Sequence, residues 1–310
     1  MGKMIGRRLL MLIPVLLGVS IILYSIMSLT PGDAATLILG DSATAESVAK
    51  LREELGLNGG FVERYVRWLT GCLRGDFGIS YKTRNPVFTE VFQRFPNTVK
   101  LAFTAIAISS IFGVLFGILS AVKQYSAIDN VVVAATLLLS SVPDFWLGLM
   151  MILLFAVKLK WLPLSGVDHW YNFIMPGITA SAHYLANTIR MTRTSMLDVI
   201  RADYVRTARA KGCPERTVIF EHALRNALLP VVTLIGVNMG WQLGGTVITE
   251  QVFAIPGIGS LMITSIRQKD VPVVLGALVF IALLSSLINL ATDVLYAYID
   301  PRIKSQYVKK

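Results

Sequence analysis

Long apolar runs alternate along this chain with short polar, basic or glycine-bearing connections. A helix that crosses a bilayer needs about 20 mostly apolar residues. Six stretches meet or approach that length: Leu9–Leu29, Val99–Val122, Val131–Val157, Phe173–Ile189, Leu228–Thr249 and Val273–Ala297. The third contains Pro143 and Asp144, which predicts a kink or a cavity-lining break. The fourth is the weakest, being short and holding His183 and Asn187. After the first run, Glu46–Leu55 and Phe61–Leu73 show helical spacing on either side of the Asn58-Gly59-Gly60 breaker. The pattern predicts an all-α integral membrane protein with six transmembrane helices and a small extracytoplasmic helical cap after the first. Residues 1–98 would form the first helix and its cap. Residues 99–300 would form a five-helix unit with a polar loop at about 190–227, and 301–310 a tail.

Composition supports the membrane reading. Of 310 residues, 54% are hydrophobic and 15% charged, where soluble domains carry about a quarter charged. A net charge of +10 in so apolar a chain does not point to nucleic acid; Lys and Arg collect in short cytoplasmic loops. Residues 190–225 hold eight basic side chains against four acidic ones, whereas 31–98 balance eight with eight. The N-terminus and the tail are basic too. Both termini and the 190–225 loop are therefore expected in the cytoplasm and the 31–98 segment outside. The first apolar run follows Arg7 and Arg8 but is too long for a signal-peptide core and lacks a cleavage site, so an uncleaved helix is expected. Cys72 and Cys213 then lie on opposite faces and cannot pair.

The polar loop contains YVRTARAKGC, Tyr204 to Cys213, three basic residues among small ones. Val199, Ala202, Val205 and Arg209 recur at helical spacing, predicting a helix from Met196 onward. Gly212-Cys213-Pro214 is a stop signal, and a second short helix over Glu215–Leu224 would lead back to Pro230 at the start of the fifth span. Small alanines permit close approach of another protein, and arginines offer bidentate partners to carboxylates. The same arginines would also suit anionic lipid heads. Both readings stand at this point.

Polar residues at membrane depth are costly and often functional. Asp144, His183, Asn187, Asn238, Gln242 and Glu250 are the candidates for lining a path. Asn238 and Gln242, four apart, share a helix face; they would line a cavity or bond a neighbouring helix. His183 without a second imidazole or thiolate makes a poor metal site, so no metal is assigned, and no catalytic constellation can be assembled. Gly113 and Gly117 form G-x-x-x-G, which permits a close helix contact, with a second subunit as one candidate.

The loop motif has a resemblance. Tyr204, Arg206, Thr207, Ala208, Ala210, Lys211 and Gly212, followed by Arg225-Asn226 and Pro230, look like the cytoplasmic "EAA" loop of permease subunits in bacterial ABC importers. The variant resembles the dipeptide/oligopeptide/nickel permease family, with Arg206-Thr207-Ala208 where the loop's usual first Glu would stand. Arg64-Tyr65-x-x-Trp68-Leu69, Gly75-Asp76-Phe77-Gly78, Arg94-Phe95-Pro96-Asn97-Thr98, Glu250-Gln251-Val252-Phe253-x-x-Pro256-Gly257-Ile258-Gly259 and Asp300-Pro301-Arg302 resemble that family in the same order. The resemblance implies the type I ABC importer permease fold and makes the 204–230 residues a coupling element. It also implies a second homologous permease as heterodimer partner, two cytoplasmic ATP-binding subunits, an outer substrate-binding protein and surrounding lipid. The chain has no G-x-x-x-x-G-K-[ST], so ATP and Mg would be bound by the partner subunits. Di- or oligopeptides, glutathione-like peptides or nickel chelates are the implied cargo. The rival reading is a self-contained, ion-gradient-driven secondary transporter, whose inverted repeats are not seen in the sequence.

Overall fold

The helices follow the apolar runs, but bends and breaks decide how they pack. A computed structural model describes residues 2–29, 33–40 and 43–299. The Asp300-Pro301-Arg302 motif and the 301–310 tail lie outside the described residues. The chain divides into two compact units, residues 1–98 with 256–286, and residues 99–255 with 287–310.

In the first unit, α1 (Gly2–Leu29) is followed by α2 (Ala34–Leu39), α3 (Ala45–Glu54) and α4 (Phe61–Leu73). The two helices expected around Asn58-Gly59-Gly60 are α3 and α4. Thr44 caps α3 by accepting the Ser47 N–H, as N-cap threonines do. An aromatic cluster binds α4 to α1: Tyr24 meets Tyr65 edge-on at 5.4 Å, and the Tyr65 hydroxyl lies 2.9 Å from Ser20 Oγ. The loop after α4 is ordered by a buried carboxylate, Asp270, which accepts bonds from Ser80 Oγ and from the N–H groups of Tyr81 and Lys82. Helix α5 (Val87–Val122) begins in this unit, and α13 (Ile258–Arg267) and the first part of α14 (Val271–Ile299) complete it. Two motifs join here. Asn97 Nδ2 donates to the Pro256 carbonyl at 3.0 Å, and Thr98 Oγ1 accepts the Ile258 N–H at 2.9 Å.

In the second unit, α6 (Ala127–Ser141) and α7 (Asp144–Met151, continued as a π turn over Ile152–Lys158) are one apolar run broken at Pro143. Proline pushes the residue before it out of the helical region. Val142 is accordingly extended, at ψ 127°, and the two halves bend by 106°. The expected kink is thus a sharp break.

Helix α8 (Ile174–Ile200) packs along α5. A Cβ on Gly177 would meet Thr104 at 2.6 Å, one on Gly113 would meet Thr188 at 2.6 Å, and one on Gly117 would meet Thr192 at 2.5 Å. Contact positions rise together on both helices, so α5 and α8 run parallel. The G-x-x-x-G notch is therefore filled by the chain's own α8 rather than by a second subunit. The short α9 (Asp203–Ala210) precedes a continuous helical course, α10 (Glu215–Thr217) running through a π turn into α11 (Leu224–Gly245), and then α12 (Val247–Val252). Gly236 of α11 packs on Thr292 and Gly240 on Asn289 of α14; here one series rises as the other falls, so α11 and α14 are antiparallel.

Among the described residues, four helices are long and apolar enough to cross a membrane, or five if the bent α6–α7 pair is one span. The expected stretch 173–189 is helical, as part of α8, but does not reach that apolarity. The reason lies in its surroundings. Thr179, Ser181, Thr188 and Thr192 of α8 are all buried against protein, whereas the most apolar part of Leu10–Leu29 is only 6% buried. A helix enclosed by other helices does not need an oily surface; one facing lipid does.

Candidate coupling surface

Helix α9 carries most of the polar-loop motif on one short amphipathic turn. Val205 and Ala208 are buried, joining Met196, Ala121, Val218, Ala223 and Ala227 in a small apolar core. Tyr204, Arg206, Thr207, Ala210, Lys211 and Gly212 face outward. Ala208, expected at a partner's surface with the other small residues, points inward instead. Asp203 in the first turn suits the positive end of the helix and lies 3.7 Å from Arg206, both exposed, so this pair adds little.

Two expectations about the loop are corrected. The helix begun before Met196 does not continue through the motif; it stops at Arg201, and Ala202 is extended with ψ 147°. A straight helix would carry Val205 roughly 14 Å past Met196 at 1.5 Å per residue. The break lets both reach the same core. The second run is not a separate helix either: Glu215–Gln242 is one helical course, through a π turn at Val218–Ala223. Pro230 accordingly lies inside α11, not at its start, and leaves the Asn226 carbonyl without its usual helical donor.

The end of α9 is closed by glycine. Gly212 has φ +78°, its N–H donates to the Arg209 carbonyl at 2.9 Å, and the Cys213 N–H donates to the Ala208 carbonyl at 3.3 Å. This is the doubly bonded left-handed cap that L-residues other than glycine resist. Arg209 folds back to grip Glu215 across the turn, Nη2 to Oε1 at 2.7 Å and Nε to Oε2 at 3.1 Å. Hydrogen bonding by Glu215 raises the Arg209 pKa further. Asn226 Nδ2 donates to the Tyr204 hydroxyl at 3.0 Å, bringing the two halves of the motif together, while Arg225 and Pro230 are exposed on their own helix. The outcome is a rigid outward ridge on a buried foot.

The residues expected at depth have separate fates. Gln242 is buried and donates to the Ala180 carbonyl of α8 at 3.1 Å, so it bonds a neighbouring helix. Asn187 accepts from Arg190 at 2.7 Å. Glu250 is fully buried and accepts the Thr246 hydroxyl at 3.1 Å. Asp144, in the first turn of α7, and Asn238 are half-buried, and His183 is exposed. Among the described residues, no three His, Cys, Asp or Glu side chains gather as a metal site would require. Sequence reasoning missed one group: Arg193, counted only as a loop charge, forms a two-pronged ion pair with Asp129. Asp129 stands in the short connection between the second and third apolar runs, where nothing in the sequence separates it from an ordinary loop charge.

Two family models match. One, the binding-protein-dependent transport system inner membrane component, matches residues 113–305; the other, the N-terminal component of the same systems, matches residues 1–102. The chain belongs to this family. It is a permease subunit of a binding-protein-dependent importer, and the ion-driven alternative is not favoured. Membership also makes it an inner-membrane component. Relatives of this inner-membrane component include a probable peptide ABC transporter permease of Sinorhizobium fredii, 40% identical over 98% of this chain and 100% of its own. The glutathione permease GsiC of Escherichia coli K12 is 40% identical over 96% and 97%. The dipeptide permease DppB of Alkalihalophilus pseudofirmus is 40% identical over 96% and 98%. Among solved structures, an inward-facing MetNI methionine ABC transporter chain matches with TM-score 0.59 at 19% identity, covering 69% of this chain and 97% of its own, which establishes a shared fold.

Proposed function

We propose that this permease forms half of the membrane pathway of an ATP-driven importer of short peptides, with a second, homologous permease as the other half. Two separate ATPase subunits bind ATP and Mg and dock on the two coupling ridges, of which α9 is one. A binding protein delivers cargo to the side bearing α3 and α4. The termini and α9 are cytoplasmic, in keeping with the basic excess of residues 190–225. The observation that carries this reading is the build of α9: buried foot, capped end, and an exposed ridge of Tyr204, Thr207, Ala210 and Lys211. Such a ridge transmits displacement because it cannot flex on its own. Three relatives named for peptide, glutathione or dipeptide transport, each 40% identical over nearly the whole chain, support the cargo class. Nickel chelates have no such support.

Purification in mild detergent tests the assembly, and uptake into liposomes tests the cargo. An ATPase and a second permease should co-purify, and the reconstituted complex with its binding protein should take up labelled dipeptide or glutathione only with ATP inside the ATPase compartment. Uptake by the solitary chain, driven by an ion gradient without ATP, would overturn the assignment.

A further inference from the structure

Asp129 stands in the first turn of α6, just before the third apolar run, and only 3% of its side chain is exposed. One carboxylate oxygen accepts Arg193 Nε at 2.9 Å, the other Arg193 Nη2 at 2.9 Å. Ser120 Oγ of α5 donates to the same group, and the Tyr125 N–H donates at 2.9 Å. Arg193 Nε also reaches Ser120 Oγ at 3.1 Å. A few residues on, Arg201 Nη2 donates to Gln124 Oε1 at 3.2 Å. The end of α5, the corner at 123–126, the start of α6 and the last turns of α8 therefore meet on one carboxylate.

The location gives this cluster a mechanical meaning. Arg193 lies two turns before α8 stops at Arg201, where the chain turns into α9. Asp129 lies at the head of α6, whose far end is the 106° break into α7. The foot of α9 and Ala121 at the end of α5 share one small apolar core. Apolar contact is non-directional and resists compression better than separation. A forked guanidinium–carboxylate pair fixes distance and orientation both ways, which a lysine does not. Asp129 is buried, so removing Arg193 would strand its charge.

We propose that Asp129 and Arg193, with Ser120, form a positioning lock. It makes α9, the end of α8 and the α5–α6 corner move as one body, delivering both push and pull from α9 to the bent α6–α7 span. The inference rests on the reading of α9 as the ATPase-docking helix.

The test uses the complete transporter in liposomes and reads cargo molecules imported per ATP hydrolysed, alongside subunit co-purification. Arg193→Lys keeps the charge and loses the fork; Asp129→Asn keeps the shape and loses the charge. Both variants should assemble at wild-type level and still hydrolyse ATP in response to the binding protein. Import per ATP should fall at least tenfold in Asp129→Asn and by a smaller factor in Arg193→Lys. A merely structural role would lower uptake and hydrolysis together, with their ratio intact, and that result overturns the lock. So does a wild-type ratio in either variant, or loss of assembly in the conservative Arg193→Lys. A wild-type complex that imports nothing with ATP sinks the proposed function instead, before the lock is at issue.

Discussion

Replacing Gly212 separates what the backbone needs from what a partner needs. Its φ of +78° costs an ordinary L-residue roughly 1–2 kcal/mol, which lowers the population of the capped turn by a factor of about 5–30. Within the chain, however, a Cβ at Gly212 would meet nothing within 4 Å. Gly212→Ala therefore meets no internal clash, and Gly212→Leu carries the same backbone strain. Asn tolerates the left-handed region better than other residues do, so Gly212→Asn should recover much of the loss. ATP-driven uptake in liposomes, normalised to permease content, is the assay. Gly212→Ala should lose uptake by no more than the strain factor, and Gly212→Asn should lie between it and wild type. Gly212→Leu should fall at least a further tenfold, because its side chain would project from the ridge into the docked subunit. Equal rates for Ala and Leu would refute the docking argument. Wild-type uptake by Gly212→Ala would refute the strain argument.

Two more outcomes follow from the packing. Gly117→Val puts side-chain atoms where Thr192 and the Ile189 carbonyl already stand, 2.5 and 2.9 Å from the first added carbon; overpacking of this kind costs about 1–3 kcal/mol or more. The purified variant should melt several degrees lower in detergent, and an unchanged melting point would contradict the parallel α5–α8 contact. Cys72 sits half-buried on α4, where burial first and Asp76 second push its thiol up to about 12. Only the thiolate reacts, so labelling by an impermeant maleimide should be slow at pH 7 and keep rising about tenfold per pH unit through pH 10. A rate that levels off near pH 9 would show an ordinary exposed thiol.

How far the chain could be read in advance varied with what each helix touches. Helix α1 was legible because its surface is apolar nearly all round, and the pair α3 and α4 because the Asn58-Gly59-Gly60 breaker separates them. Helix α8 was half hidden. Its threonines and serines are buried among other helices, and hydropathy reads a surface facing lipid, not one facing protein. Ala208 illustrates the same gap at the motif. Its spacing marks it as part of a small-residue helix, but whether it faces a partner or the chain's own core depends on where Met196 and Val218 come to lie.

Local chemistry, then, set the element types: apolar length made the spans, Pro143 broke the third, and Gly212 ended the short polar helix. What came only with the packed molecule was partnership over long separations. Gly117 finding Thr192, Asn97 finding Pro256 and Asp129 finding Arg193 join residues 64 to 159 apart in sequence, and no periodicity records such a pairing. A helix advertises its own turn every 3.6 residues, but which neighbour fills a notch or neutralises a buried charge is decided when the helices compete for the same space.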